Sequence, residues 1–173
     1  MKYDGYRLRL ERDRDHVRLI TRGGYNWSSR YPWIVEAARK VRQSRFVLDG
    51  EAVILGVDGI ADFNALHSGK HNHEVQFCAF DMLVEDGDDL RKLPLCMRKM
   101  NLQRLLARRP EGIFVSEFER GEIGADPFRV ACRMGLEGLV SKHRDQPYQA
   151  GRSRHWVKDR THPAMERVLD DLR

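Results

Sequence analysis

Lys2 opens the sequence Lys2-Tyr-Asp-Gly5, and Arg7 follows two residues later. A lysine amine in this setting can attack the α-phosphate of a nucleotide if desolvation or neighbouring cations lower its pKa from about 10.4. Gly5 is expected to let the backbone turn tightly beside it. Alone, a Lys-x-Asp-Gly string is common by chance, and an ordinary exposed strand end is the competing interpretation.

Three further segments carry residue types suited to a nucleotide or its phosphates. Arg22 precedes two glycines, a pattern that allows close approach of a phosphate. Glu51 follows a glycine in what we expect to be a turn, where its carboxylate suits a ribose hydroxyl or a divalent metal. Phe80, next to Asp81, offers an aromatic ring that can stack on a base.

Two motifs near the other end of the chain add a carboxylate and several cations. Glu137 and Lys142 lie five residues apart, which would put them on opposite faces of a regular strand, so a bend or a different role for each is implied. Lys158 and Arg160 follow, separated by one residue. The net charge of +5 and the pI near 9.3 favour a polyanionic partner.

The elements that must position these residues alternate without a regular βαβ rhythm, so we predict an α+β fold with antiparallel β-sheets. Alternation of apolar and charged residues predicts a β-hairpin over residues 5–21 that turns at 13–15. Further strands are predicted over 45–55 (broken at 49–51), 75–84, 114–118, 138–143 and 155–158, with turns at 56–59 and 85–89. Helices are predicted over 32–42, 63–67, 95–108, 126–134 and 163–172.

Length and composition indicate one soluble domain. The chain has 173 residues, of which 41% are hydrophobic and 33% charged, enough to bury a core. No apolar run approaches the roughly 18–20 residues of a membrane span, and no leader is evident, so we expect a cytoplasmic protein. Cys78, Cys96 and Cys132 are odd in number and widely spaced, which favours buried apolar residues in a reducing compartment.

Several residues have a purely structural interpretation beside a functional one. His67, His71 and His73 fit no familiar zinc spacing, so a polar surface loop is favoured over a metal site. The basic helix over 97–109 is interpreted as a solvated amphipathic face rather than a DNA-binding one. The three tryptophans suit packing as well as base stacking, and Asp81 could simply cap a turn.

In their order and spacing, the motifs around Lys2, Arg22, Glu51, Phe80, Glu137 and Lys158 together resemble the covalent nucleotidyltransferases. The specific resemblance is to the adenylation domain of ATP-dependent DNA ligases of the bacterial end-joining type. Segments 60–66, 88–95 and 148–153 add to it, and it covers nearly the whole chain. It implies antiparallel β-sheets flanked by helices, as in the ATP-grasp-like catalytic domain shared by DNA ligases and capping enzymes. It also implies an enzyme that uses ATP with Mg²⁺ or Mn²⁺ on nicked or broken duplex DNA.

The resemblance implies a role for each matching residue. Lys2 would attack ATP, expel pyrophosphate and hold AMP as a phosphoramidate. Nucleotide binding would fall to Arg7 and Glu51 at the ribose, Phe80 at the adenine, and Lys142, Lys158 and Arg160 at the α-phosphate. Glu51 and Glu137 would bind the metal ion, and Arg22 would contact the phosphate at a DNA nick.

Three departures from the family pattern lead to further expectations. From the first and last residues of the sequence we expect the strand before the lysine and the C-terminal OB-fold domain to be missing. The third departure is Arg160, whose planar guanidinium stands where the family has a second lysine. We therefore expect one adenylation domain over residues 1–173 that is impaired in lysine adenylation, a defect that need not abolish the sealing of pre-adenylated DNA. A separate OB-fold or end-joining protein could complete it. The alternatives are a remnant that binds nucleotide or nicked DNA without ligation, and a guanylating relative such as a capping enzyme.

Overall fold

The computed structural model of the chain describes residues 3–108, 111–118, 138–151 and 156–160, with Val157 the one described side chain of the last segment. A six-stranded sheet has the order β2-β1-β3-β4-β5, and β6 also pairs with β4. Its strands are β1 (Tyr6–Asp13), β2 (His16–Thr21), β3 (Arg45–Val53), β4 (Gln76–Glu85), β5 (Asp88–Asp89) and β6 (Ile113–Val115). The strands β7 (Gly138–Lys142) and β8 (Trp156–Arg160) form a second, two-stranded sheet. The described helices are α1 (Pro32–Lys40), α2 (Phe63–Ser68) and α3 (Leu95–Leu105).

The α+β prediction is confirmed, with one departure from antiparallel pairing. Every described strand pair is antiparallel except β4–β6, which is parallel. The connection between these two strands runs through α3, and a helical crossover returns the chain in the same direction. Within the described part of the chain, no helix is both long and apolar enough to cross a membrane.

The predicted turns are confirmed where the sequence offered a strong turn signal. In the β1–β2 hairpin Asp13 pairs with His16, so the turn consists of two residues, and Arg14 has a positive φ of 55°. The turn between β4 and β5 places Asp86 and Gly87 at φ 51° and 97°. Asp and Gly tolerate this left-handed region better than most residues, which explains why Asp-Gly strings end strands here.

Alternate residues of the central strands build the core. Leu8, Leu10 and Leu48 are at most 1% exposed, and they lie on one face of the sheet together with Met82. Helix α1 covers this core with Ile34 and three other buried residues. The opposite face of the same strands therefore remains for polar residues, and it carries the candidate site.

The predicted break of β3 at residues 49–51 is wrong, because β3 runs without interruption from Arg45 to Val53. Gly50 lies inside the strand, where a Cβ would come within 2.4 Å of Phe77 Cζ. Gly5 has a similar role, since a Cβ there would lie 2.2 Å from the Ala52 carbonyl oxygen. Both glycines thus allow close packing against a neighbouring strand.

The remaining element boundaries differ from prediction by a few residues. Helix α1 ends at Lys40 because Val41 is extended, with φ −63° and ψ 135°. Helix α3 ends at Leu105, three residues before the predicted end, and β6 is shorter than predicted. The helices predicted over 126–134 and 163–172 lie outside the described residues.

Candidate active site

A set of charged side chains shares one face of the main sheet, which we call the polar face. Arg7 of β1 lies directly opposite Glu51 of β3, and opposed residues of an antiparallel pair point to the same side. Asp49, two residues before Glu51, shares that side. The sheet therefore brings Arg7 together with two carboxylates that lie more than forty residues further along the chain.

An irregularity in β4 adds Asp81 and Phe80 to the polar face. The adjacent residues Asp49 and Gly50 pair with Asp81 and Ala79, so Phe80 between them has no partner on β3. Phe80 is thus a β-bulge residue, and a bulge redirects side chains and is frequent beside active sites. Because of the extra residue, Asp81 lies on the same side of the sheet as Asp49.

Arg7 is held by a two-pronged ion pair with Asp49. The Arg7 Nε donates to Asp49 Oδ1 at 3.0 Å, and Nη2 donates to Oδ2 at 2.6 Å. The Tyr148 hydroxyl donates to the same Oδ2 at 3.1 Å. The hydrogen bond to Asp49 raises the pKa of Arg7 above its ordinary value, although burial acts in the opposite direction. Arg7 is therefore a fixed cation whose side chain is still about a third exposed.

Two cations lie against the ring of Phe80. The Lys142 ammonium is 4.5 Å from the ring centroid, and the Arg7 guanidinium carbon is 5.5 Å from it. Burial lowers the pKa of Lys142, and Asp81 and Asp49 partly counter this effect. Since a desolvated ammonium is stabilised by an anion, Lys142 is suited to bind one beside an aromatic surface.

Four of the residues predicted from sequence thus meet at the polar face: Arg7, Glu51, Phe80 and Lys142. Arg22 is exposed on the turn that follows β2, directly after Thr21, which pairs with Leu8 of β1. Lys2 and Glu137 lie outside the described residues. Lys158 and Arg160 belong to β8, where they pair in register with Val140 and Gly138, and their side chains are not among those described.

Sequence reasoning missed the buried ion pair between Asp81 and Arg98. Arg98 Nε donates to Asp81 Oδ1 at 2.8 Å and Nη2 donates to Oδ2 at 3.0 Å, with both side chains at most 2% exposed. Asp81 therefore lies inside a strand and does not cap a turn. The interpretation of the basic helix as a solvated face is wrong for Arg98 and for Lys99, both of which are buried.

A helical pattern could have revealed these two buried cations. The buried residues of α3 include Leu95, Arg98, Lys99 and Leu102, which follow the i, i+3, i+4, i+7 spacing of one helix face. Two leucines on that face indicate burial of the charges between them. The sequence does not, however, distinguish such a face from a solvated one without a carboxylate known to lie opposite.

Lys99 is a buried lysine whose ammonium lies against an aromatic ring. Among the described residues its close contact is the ring of Phe118, with the nitrogen 4.5 Å from the centroid. Burial lowers the pKa of Lys99 to about 8, and the nearby charge of Lys142 lowers it further, whereas Asp81 opposes the change. The protein therefore keeps a second electropositive amine near Lys142.

Replacing Lys99 with methionine is expected to raise stability at pH 7 and to change its pH dependence. Below pH 8 both the folded and unfolded chains bind the Lys99 proton, and folding bears the full cost of burying the charge. Between about pH 8 and 10.5 the unfolded chain keeps a proton that the folded chain has lost, so wild-type stability rises with pH. The stability advantage of Lys99→Met should thus shrink by about 2 kcal/mol from pH 7 to pH 10.

Urea denaturation of wild type and Lys99→Met across this pH range measures the effect. Lys92→Met, at an exposed lysine, supplies the matched control for removal of one lysine charge. A constant difference for Lys99→Met would show that Lys99 titrates normally.

The carboxylates fit a magnesium ion that is bound together with phosphates. Mg²⁺ usually takes one or two carboxylates plus substrate phosphates and water, not a cage of protein ligands. Glu51 is partly exposed on the polar face, which suits such a ligand. In the ranges that the structure describes, no group of three or more His, Cys, Asp or Glu side chains could hold a metal by itself.

The histidines, tryptophans and cysteines considered in the sequence analysis make packing and surface contacts where the structure describes them. His71 and His73 are exposed beside Glu74, and His67 Nδ1 lies 2.7 Å from the Tyr6 hydroxyl. Trp27 packs edge-to-face on Tyr6 with ring centroids 5.3 Å apart. As predicted, Cys78 is buried, Cys96 is partly buried, and Cys132 lies outside the described residues.

The fold, with cations, an aromatic ring and carboxylates on one face of its sheet, is of the nucleotidyltransferase type. Comparison with known proteins narrows this class. The family model described as "ATP dependent DNA ligase domain" matches residues 1–160. The chain therefore belongs to the ATP-dependent DNA ligase family and corresponds to its adenylation domain. This assignment argues against the alternative of a capping enzyme.

Curated relatives and solved structures agree with this assignment. The chain is 35% identical to the multifunctional non-homologous end joining protein LigD of Pseudomonas aeruginosa, over 91% of this chain and 19% of that protein. It is also 35% identical to LigD of Mycobacterium tuberculosis, over 99% of this chain and 22% of that protein. The crystal structure of the M. tuberculosis LigD ligase domain superposes with a TM-score of 0.79 at 36% identity, over 91% of this chain and 52% of that one.

A second solved structure, mycobacterial DNA ligase D complexed with ATP and MES, has a TM-score of 0.78 at 36% identity. It covers 91% of this chain and 52% of that chain. The chain thus spans about a fifth of the two LigD relatives and about half of each ligase structure.

Proposed function

We propose that this chain transfers AMP from ATP to Lys2 and then supports the sealing of 5′-phosphate and 3′-hydroxyl ends in DNA. The observation that carries the proposal is the meeting of Arg7, Glu51, Phe80 and Lys142 on the polar face, in a domain of the DNA ligase family. These residues supply an aromatic surface for a base, a carboxylate for a ribose or metal, and cations for phosphate. Phosphoryl-type transfer depends mainly on such positioning and charge neutralisation.

In the first step the neutral Lys2 amine attacks the α-phosphorus of ATP. A nitrogen–phosphorus bond forms, the bond to the bridging oxygen breaks, pyrophosphate leaves, and the amine loses a proton. Lys142, Lys158 and Arg160 are proposed to bind the α-phosphate and so to stabilise the charge that develops there. The lowering of the Lys142 pKa by burial fits this role, because the arriving phosphate would replace part of the solvation that burial removes from the ammonium.

The nucleotide is proposed to lie along the polar face with its adenine on Phe80 and its ribose near Arg7 and Glu51. Adenine stacking would require Lys142 to leave the Phe80 ring, and the α-phosphate gives it a stronger partner than the ring does. Glu51 and Glu137 are the proposed ligands of Mg²⁺ or Mn²⁺, which when bound would neutralise charge on the triphosphate.

The DNA partner is proposed to be nicked or broken duplex DNA. Arg22 is exposed at the end of β2 and beside two glycines, so a backbone phosphate can approach it closely. Residues 1–173 are proposed to form one adenylation domain, with a separate OB-fold or end-joining protein as a further partner. The names of the LigD relatives, which refer to non-homologous end joining, support a role in that kind of repair.

Intact mass spectrometry after incubation with ATP and Mg²⁺ tests the first step directly. We expect a mass gain of one AMP, reversed by added pyrophosphate. A parallel sample with pre-adenylated nicked DNA tests sealing without ATP. Sealing without any mass gain would place a defect in ATP activation, whereas failure of both reactions would favour a remnant that binds its ligands without turnover.

A further inference from the structure

We propose that Tyr148 is a positioning residue that sets the orientation of Arg7 toward the nucleotide ribose, acting through Asp49. The inference rests on the proposed function, because the contact of Arg7 with the ribose is itself proposed. It extends the site to a residue 99 positions from Asp49 in the sequence, in the loop that follows β7.

The contact between Tyr148 and Asp49 is direct and shared with Arg7. Asp49 Oδ2 accepts hydrogen bonds from the Tyr148 hydroxyl at 3.1 Å and from Arg7 Nη2 at 2.6 Å, while Oδ1 accepts from Arg7 Nε. Asp49 is only 4% exposed, so water cannot readily replace a lost donor. Without the tyrosine hydroxyl, the carboxylate could rotate, and the paired guanidinium would rotate with it.

The loop that carries Tyr148 is anchored through its backbone to the start of α3. The Leu95 N–H donates to the Gln146 carbonyl at 3.1 Å, and the Cys96 N–H donates to the Arg144 carbonyl at 2.9 Å. The Tyr148 N–H itself donates to the Arg91 carbonyl at 2.8 Å. Because the backbone is fixed at Tyr148 itself and at Arg144 and Gln146 before it, the hydroxyl reaches Asp49 from a defined position.

The tyrosine side chain is also held from the direction of α3. The Arg98 guanidinium carbon lies 5.9 Å from the Tyr148 ring centroid, and Arg98 is locked by its ion pair with Asp81. Arg98 Nη1 in addition donates to the Gln146 carbonyl at 3.3 Å. Burial raises the pKa of Tyr148 to about 12, with the charge of Asp49 adding to the rise, so the hydroxyl stays a donor at neutral pH.

The loop that carries Tyr148 begins directly after Lys142, so one segment of chain links both residues to the proposed nucleotide site. Lys142 ends β7 over the ring of Phe80, and Tyr148 returns to the polar face at Asp49. One anchored segment therefore bears a cation proposed for the phosphate and a donor that fixes the cation proposed for the ribose. The distance between these two subsites would depend on the loop.

Calorimetric titration of the full chain with ATP, 2′-deoxy-ATP and 3′-deoxy-ATP tests the inference. Tyr148→Phe is expected to weaken ATP binding about tenfold, the equivalent of one hydrogen bond to a charged group. It should weaken binding of the deoxy-nucleotide that lacks the recognised hydroxyl much less, so the discrimination between the nucleotides falls. Tyr25→Phe, at a side chain 71% exposed on another turn, is the matched control and should bind like wild type.

A role limited to general stability would give a different pattern. In that case Tyr148→Phe would weaken the binding of all three nucleotides by the same factor. The protein's discrimination between them would be unchanged, and this result would overturn the inference. The variant Arg7→Lys provides the second comparison, because Tyr148→Phe should add little in that background. Additive losses would show that Tyr148 does not act through Arg7.

Parallel mass measurements separate this inference from the proposed function. If wild type binds ATP with the expected discrimination but gains no AMP, the transfer proposal fails while the positioning role stands. If wild type gains AMP but Tyr148→Phe keeps full discrimination, the positioning role alone fails. Absence of nucleotide binding by folded wild type would overturn both.

Discussion

Replacing Lys2 with alanine is expected to abolish the covalent gain of one AMP from ATP. The amine is the only group of Lys2 that can form a bond to phosphorus, so its removal should eliminate the reaction rather than slow it. Lys2→Arg should be equally inactive, because an arginine keeps the charge but remains protonated at any pH that the protein tolerates. Intact mass after incubation with ATP and Mg²⁺ gives the result for each variant.

Exposed Lys92 is the matched control for this experiment, and Lys92→Ala should gain AMP like wild type. Both Lys2 variants should still bind ATP, since Phe80, Arg7 and Lys142 are unchanged. Labelling that survives in Lys2→Ala would contradict the assignment of the nucleophile. Peptide mapping would then begin with Lys99, because burial lowers its pKa to about 8 and leaves part of its amine neutral at neutral pH.

Replacing Arg98 with methionine is expected to lower the free energy of unfolding by about 3–5 kcal/mol. The change leaves Asp81 as a carboxylate 1% exposed without its hydrogen-bonded arginine, and removal of one partner from a buried ion pair is costly. It also leaves the Leu93 carbonyl without its donor at 2.5 Å. Urea denaturation at pH 7 measures the loss, which for a domain of this size is a large part of the total stability.

A double variant tests whether the unpaired charge is the cause. Asp81→Leu with Arg98→Met replaces the pair with apolar side chains and should recover a large part of the loss. Arg104→Met is the control on the same helix, since Arg104 pairs with Glu85 at the surface and should contribute less than about 1 kcal/mol. A double variant as unstable as Arg98→Met would show that the hydrogen bonds of Arg98 to backbone carbonyls carry the effect.

The Arg98 result also bears on the nucleotide site, because Arg98 contacts the Tyr148 ring and the Gln146 carbonyl. Loosening of this loop should reduce ATP binding even where the double variant restores stability. The buried pair is thus expected to have separable effects on stability and on the site.

The sequence by itself determined the elements whose signals are local. Alternating side chains and Asp-Gly turns defined the β1–β2 hairpin and the end of β4, because strand periodicity and left-handed turns depend on neighbouring residues. Motif order likewise indicated the family and picked out Arg7, Glu51, Phe80 and Lys142, which the structure brings to one face.

Only the tertiary structure decided which charges are paired and buried. Arg7 and Asp49 lie 42 residues apart and Asp49 and Tyr148 lie 99 apart, so no local pattern joins them. The sequence gives Arg98 the same charge whether its side chain is solvated or buried. The packing of α3 on β4 decides that it is buried and paired with Asp81. The cost of burying a charge and the gain from pairing it depend on distances across the fold, and sequence spacing does not specify those distances.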